Sequence, residues 1–130
     1  MASVYKEILI EASPEKVWGA VRAVGRVHEC LAPGFVTSTR LENGTRVVTF
    51  ANGLVVRELI VTIDDQNCRL AYASVKGRPT YHHASMQVFA ESESRSKLVW
   101  LTDVLPDEMA RPIGELMEEG SLIIKETLEA

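Results

Sequence analysis

The sequence predicts an α+β fold in which seven antiparallel strands pack against one long C-terminal helix, with one or two short helices after the first strand. Three observations carry this expectation. An extended run passes into a helix at Ile8 to Trp18, two Asn-Gly pairs punctuate a series of β-like segments, and an amphipathic pattern closes the chain.

The first strand is expected over Val4 to Glu11. Ser13 can then cap a helix and Pro14 can open it: the serine oxygen accepts a first-turn amide, and proline has no amide to satisfy and a φ suited to the first helical position. Val17, Val21 and Val24 fall on one face with Trp18 at its edge, and Gly25 is the expected stop. A short helical turn follows around Val27 to Leu31, and Pro33-Gly34 breaks the chain before a strand from Phe35 to Leu41. Asn43-Gly44 turns into Thr45 to Ala51, and Asn52-Gly53 repeats the signal before Leu54 to Ile63, which argues for an antiparallel meander. Further strands are expected at Arg69 to Lys76, Tyr81 to Ala90 and Lys97 to Leu105. Pro112 would cost a hydrogen bond deep inside a helix, so the long helix is expected to begin near it and run to about Leu128. Ile113, Leu116, Met117, Ile123, Ile124 and Leu128 form its apolar face. Gly120 lies in that face, where it either leaves room for a ligand or lets the helix approach the sheet.

The 130 residues suit one domain spanning positions 1–130, and 46% hydrophobic with 25% charged residues is a globular composition. A net charge of −4 with no basic run argues against a nucleic-acid partner. No apolar stretch is long enough to span a bilayer, and no basic segment leads into an apolar signal core, so no stable membrane insertion and a cytoplasmic location are expected. Cys30 and Cys68 are expected to be free thiols. His28-Glu29-Cys30 lacks a second ligand pair, and His82 and His83 point to opposite strand faces, so no metal site is expected. No cofactor motif appears, nor a hydrolase elbow or phosphate-cradling loop. Monomer and homodimer both remain open.

Glu-Ala-Ser-Pro-Glu-Lys-Val-Trp at 11–18, Asn-Gly-Leu-Val-Val-Arg-Glu-Leu at 52–59, Asp64-Asp65 followed by Arg69 and Tyr72, and Val99-Trp100 ahead of Pro106 resemble the SRPBCC superfamily. This is the helix-grip fold of START lipid-transfer domains, birch pollen allergen relatives and polyketide cyclase/dehydrase-like proteins. The resemblance covers essentially the whole chain and implies a ligand cavity between the long helix and a curved sheet. By similarity to plant hormone receptors of this fold, His82, Glu58 and Tyr72 correspond to pocket-lining positions. Similarity to lachrymatory-factor synthases points again to Glu58 and to an arginine matched by Arg46. The cavity would also be lined by Met86 and, from the helix, by Ile113, Met117, Gly120 and Ile124.

Strand alternation supports His82 facing inward with Ala84, Met86 and Val88, the more apolar set of its strand. Around Glu58 the alternation is balanced, because Leu54, Val56 and Ile60 compete with Val55, Leu59, Val61 and Ile63. Trp100 and Asp103 belong to opposite faces, and either could meet the cavity. The expected function is binding of a small hydrophobic or amphipathic metabolite: a lipid, polyketide or aromatic. One alternative is a cofactor-independent isomerase, dehydratase or cyclase, with Glu58 abstracting a proton, His82 relaying it, and arginine or tyrosine stabilising the oxyanion. The other is a cochaperone-like protein-interaction domain.

Overall fold

The start of the chain's first helix is set by local chemistry. In the computed structural model, which describes Met1–Ala130, α1 spans Pro14–Arg22 after strand β1 (Ala2–Ile10). Ser13 caps it, its Oγ accepting from the Lys16 amide at 3.2 Å, and Pro14 occupies the first turn. The helix ends at Arg22, three residues short of the Gly25 stop that the sequence predicts. Gly25 has an ordinary negative φ and serves a different purpose: a Cβ there would lie 3.0 Å from Leu41 Cδ1. A single π-helical turn, Val27–Leu31, follows.

The remaining strands are β2 (Val36–Glu42), β3 (Thr45–Phe50), β4 (Val55–Asp64), β5 (Arg69–Val75), β6 (Tyr81–Ser92) and β7 (Arg95–Leu105). They form one antiparallel sheet in the order β1-β7-β6-β5-β4-β3-β2. The meander from β2 to β7 is therefore continuous, and β1 closes it by pairing with β7. The two Asn-Gly pairs make different turns. Asn43 and Gly44 both have positive φ, 47° and 78°, as a tight two-residue hairpin requires. At the second pair only Gly53 is positive, at 89°, and the loop extends over residues 51–54.

The long helix α2 covers Ala110–Glu129, preceded by a 3-10 turn at Asp107–Met109. It starts two residues before Pro112, which sits at the third helical position, where its missing amide would have no intrahelical partner in any case. Its buried positions, Ile113, Met117, Gly120, Ser121, Ile124 and Leu128, make a stripe against the concave face of the sheet. This is the helix-grip arrangement.

The core is asymmetric along α2, and that asymmetry positions the site. The C-terminal half, with Ile124 and Leu128, packs with Ile10, Val17, Val21 and Leu98 in the main cluster. The N-terminal half contributes Ile113 and Met117 to a small cluster around Val104. α1 is tied beneath the sheet by Trp18 Nε1, which donates to Asp65 Oδ1 at 2.9 Å, and by Arg22 Nε to the same oxygen at 2.8 Å. Hydrogen bonds from Arg22 and Trp18 hold the Asp65 carboxyl below its ordinary pKa. Cys30 and Cys68 are half-buried free thiols. No helix is long and apolar enough to cross a membrane.

Candidate ligand cavity

Two adjoining cavities lie between α2 and the sheet, of about 250 Å³ and 50 Å³. They share a wall made by Phe35, Phe50, Glu58, Tyr72 and Trp100. The larger opens among the β3–β4 loop, the β5–β6 loop and the start of α2, where Leu54, Pro79, Met109 and Leu116 line it. Its walls are mostly apolar, as suits a small-molecule site, so the few polar groups that enter decide what it can recognise.

Those groups form a row across the concave face. Arg46 on β3 stands opposite Glu58 on β4, Glu58 stands opposite Ser74 on β5, and the pairing of Ala73 with His83 sets His82 of β6 beside Ser74. Arg46 and Glu58 are buried, and Arg46 Nε donates to Glu58 Oε1 at 2.7 Å. The guanidinium also lies 4.8 Å from the centre of the Tyr72 ring. Ser74 Oγ is buried without a hydrogen-bond partner. Burial holds the His82 imidazole below its ordinary pKa; the charge of Glu58 opposes this and His83 reinforces it. The ring is therefore neutral at neutral pH and can accept or donate a hydrogen bond. Next to this row, Trp100 Nε1 donates to the Tyr72 hydroxyl at 3.0 Å, and burial pushes the Tyr72 phenol up, so it stays protonated.

The residues singled out from sequence divide between the two spaces. Glu58 and Tyr72 line both cavities, whereas His82, Ile113 and Met117 line only the larger. Arg46, Met86, Gly120 and Ile124 line only the smaller one. Gly120 also serves packing, because a Cβ there would meet Phe35 Cε2 at 3.0 Å and Trp100 Cζ3 at 3.3 Å. His28 lines neither cavity; its Nδ1 lies 3.0 Å from Thr39 Oγ1. On β7, Trp100 faces the cavity, while Asp103 faces away and accepts from Ser3.

Sequence reasoning passed over Phe35, Phe50, Ser74, Thr102, Lys76 and Arg78, all of which line the larger cavity. Ser74 was reachable from the period of two, lying two residues beyond the pocket-matched Tyr72, whereas Thr102 shares the face of Trp100, which the sequence left open. No three His, Cys, Asp or Glu side chains cluster closely enough to hold a metal ion.

Residues 1–129 match a family model described as polyketide cyclase / dehydrase and lipid transport. No curated protein matches the sequence. Among solved structures the chain is similar to a START superfamily protein from Mycobacterium smegmatis, with TM-score 0.79, 14% identity and coverage of 98% of this chain and 97% of that one. It is also similar to BexL, a di-domain ARO/CYC of the BE-7585A biosynthetic pathway, with TM-score 0.85 and 16% identity over 99% of this chain and 47% of that one. Norcoclaurine synthase from Thalictrum flavum, in complex with dopamine and hydroxybenzaldehyde, gives TM-score 0.67 and 15% identity over 92% and 83% of the two chains. At these identities the likeness is one of fold.

Proposed function

The chain belongs to the polyketide cyclase / dehydrase and lipid transport family, and on that footing we propose that it binds a small hydrophobic or amphipathic metabolite in the larger cavity. The observation that carries this reading is an open space of about 250 Å³ with mostly apolar walls and a short polar row, Glu58, Ser74 and His82, on one side. Apolar walls supply affinity through burial, and the polar row orients a hydroxyl or carbonyl of the ligand. Unpartnered Ser74 Oγ and neutral His82 both have hydrogen-bonding capacity to offer such a group. The cavity is open rather than filled, which favours a ligand over the protein-interaction reading.

Native mass spectrometry of freshly purified protein, followed by titration with a lipid, polyketide and aromatic panel, tests this. A co-purified small molecule or saturable binding supports it. A folded protein that binds no member of the panel overturns it.

One observation favours a second reading, that of a cofactor-independent cyclase, dehydratase or isomerase. Neutral His82 and carboxylate Glu58 flank the same stretch of cavity wall, and Tyr72 keeps its proton nearby. His82 could then take a proton from a carbon next to a carbonyl while a hydroxyl stabilises the oxyanion. Glu58 is held by Arg46 on Oε1, so in this site its part is to orient and balance charge around His82. Once a substrate is known, turnover that survives Glu58→Gln and His82→Ala unchanged removes this assignment.

A further inference from the structure

The mouth of the larger cavity is cationic in a protein that is acidic overall. The chain carries 14 Lys and Arg against 18 Asp and Glu. Yet Lys76 and Arg78, both in the β5–β6 loop, line the cavity, and the single acidic lining residue, Glu58, is engaged by Arg46. Neither Lys76 nor Arg78 takes part in any ion pair of the structure. Arg111, near the start of α2, is paired with Glu115. Two exposed cations without ion-pair partners therefore stand beside an apolar space whose lining holds no carboxylate other than the Arg46-bound Glu58.

From this placement we infer that the preferred ligand is an amphipathic carboxylate, held head-outward: its apolar body between α2 and the sheet, its acid group at the mouth between Lys76 and Arg78. The orientation follows from charge. A carboxylate pushed inward would lie near Glu58, which repels it and whose one charge partner is already taken. At the mouth the same group keeps part of its hydration and gains two charge-assisted hydrogen bonds, so it need not be fully desolvated. An arginine can grip the carboxylate in bidentate fashion, with lysine adding a point charge.

This inference rests on the cavity-binding reading, and matched ligand pairs separate the two. Decanoate against decanol, and naphthoate against naphthylmethanol, differ in the head group while sharing an apolar body. Calorimetric titration of the wild-type chain is expected to show each acid binding about tenfold tighter than its alcohol at low salt, a preference that shrinks as salt is added. In Lys76→Met/Arg78→Met the preference is expected to fall to within about threefold with alcohol affinity unchanged, since the methionines keep the apolar stems and lose only the charges. In Lys76→Glu/Arg78→Glu the alcohol is expected to bind better than the acid. Acids and alcohols that bind the wild type equally overturn the anion preference and leave the cavity reading standing. So does an acid preference that survives both double variants. A folded protein that binds neither series overturns both.

Discussion

Arg46 and Glu58 face each other across β3 and β4 in a buried ion pair, Nε to Oε1 at 2.7 Å, with side-chain exposures of 5% and 11%. The pair lies in the wall of the smaller cavity, and Arg46 reaches on to the Tyr72 ring. Two charges in so dry a place attract strongly but have each lost their water.

Removing one member strands the other. Arg46→Met and Glu58→Leu are each expected to destabilise the fold by about 3–5 kcal/mol, read by urea denaturation. The double variant is expected to lie nearer the wild type than either single change, because no unpaired charge remains. Single variants with unaltered midpoints would mean that water reaches the pair.

His82 sets a pH dependence with a definite sign. Its imidazole titrates below the ordinary value of 6.5 in the fold because burial disfavours the charged form. As pH falls through 6.5 the unfolded chain takes up this proton before the folded one does, so stability is full above 6.5 and declines below it until the folded ring itself titrates. The depressed carboxyl groups of Asp65 and Glu129 act lower, below their ordinary values of 3.8 and 4.5. Melting temperatures of wild type and His82→Gln, measured from pH 8 to pH 5, are expected to diverge on the acid side, the wild type losing more. Parallel curves would place His82 in water.

These two predictions concern residues that the sequence could name, of which it could orient His82 but not Glu58. His82 was orientable because its strand has one clearly more apolar face, Ala84, Met86 and Val88, all buried. Glu58 was not, because the alternate set Val55, Leu59, Val61 and Ile63 is as apolar as the set that contains Glu58, and all four of those residues are exposed. The pairing of β4 with β5 also slips at Val61, so no strict period of two runs through the strand. Trp100 and Asp103 could be assigned to opposite faces but not to inside and outside until the register with β6 was known, Met86 opposite Trp100 and His83 opposite Asp103. The order of elements was legible throughout because turn and cap chemistry is local. The cavity was not, because it depends on how far α2 stands off the sheet, and a contact such as Gly120 against Phe35 spans most of the chain.

Ser74 offers a test in which stability and binding move apart. Its Oγ is buried without a hydrogen-bond partner in a wall beside Glu58 and His82. Ser74→Ala removes that unsatisfied group, so the empty protein is expected to be as stable as the wild type or up to about 1 kcal/mol more so. Affinity for a ligand whose hydroxyl or carbonyl reaches the row is expected to fall by about five- to tenfold, and affinity for an unsubstituted apolar probe is expected to hold. Equal losses for both probes would show that the hydroxyl only fills space.

Trp100 closes the wall between the two cavities, and its indole is held in place by the bond from Nε1 to Tyr72. Trp100→Phe keeps most of the wall and loses that bond, which is expected to cost about 1 kcal/mol and to leave ligand size preference unchanged. Trp100→Ala removes the partition itself. The expected cost is about 3–5 kcal/mol, for lost burial and for the space left behind. Joining spaces of about 250 Å³ and 50 Å³, with the indole's own volume added, should admit bodies longer than the wild type accepts. Binding of a homologous series of alkanoates of increasing length is the direct measure: the optimum should move to longer chains in Trp100→Ala and stay put in Trp100→Phe. An unmoved optimum in the alanine variant would mean that Phe35, already within reach of Gly120, swings in to refill the gap.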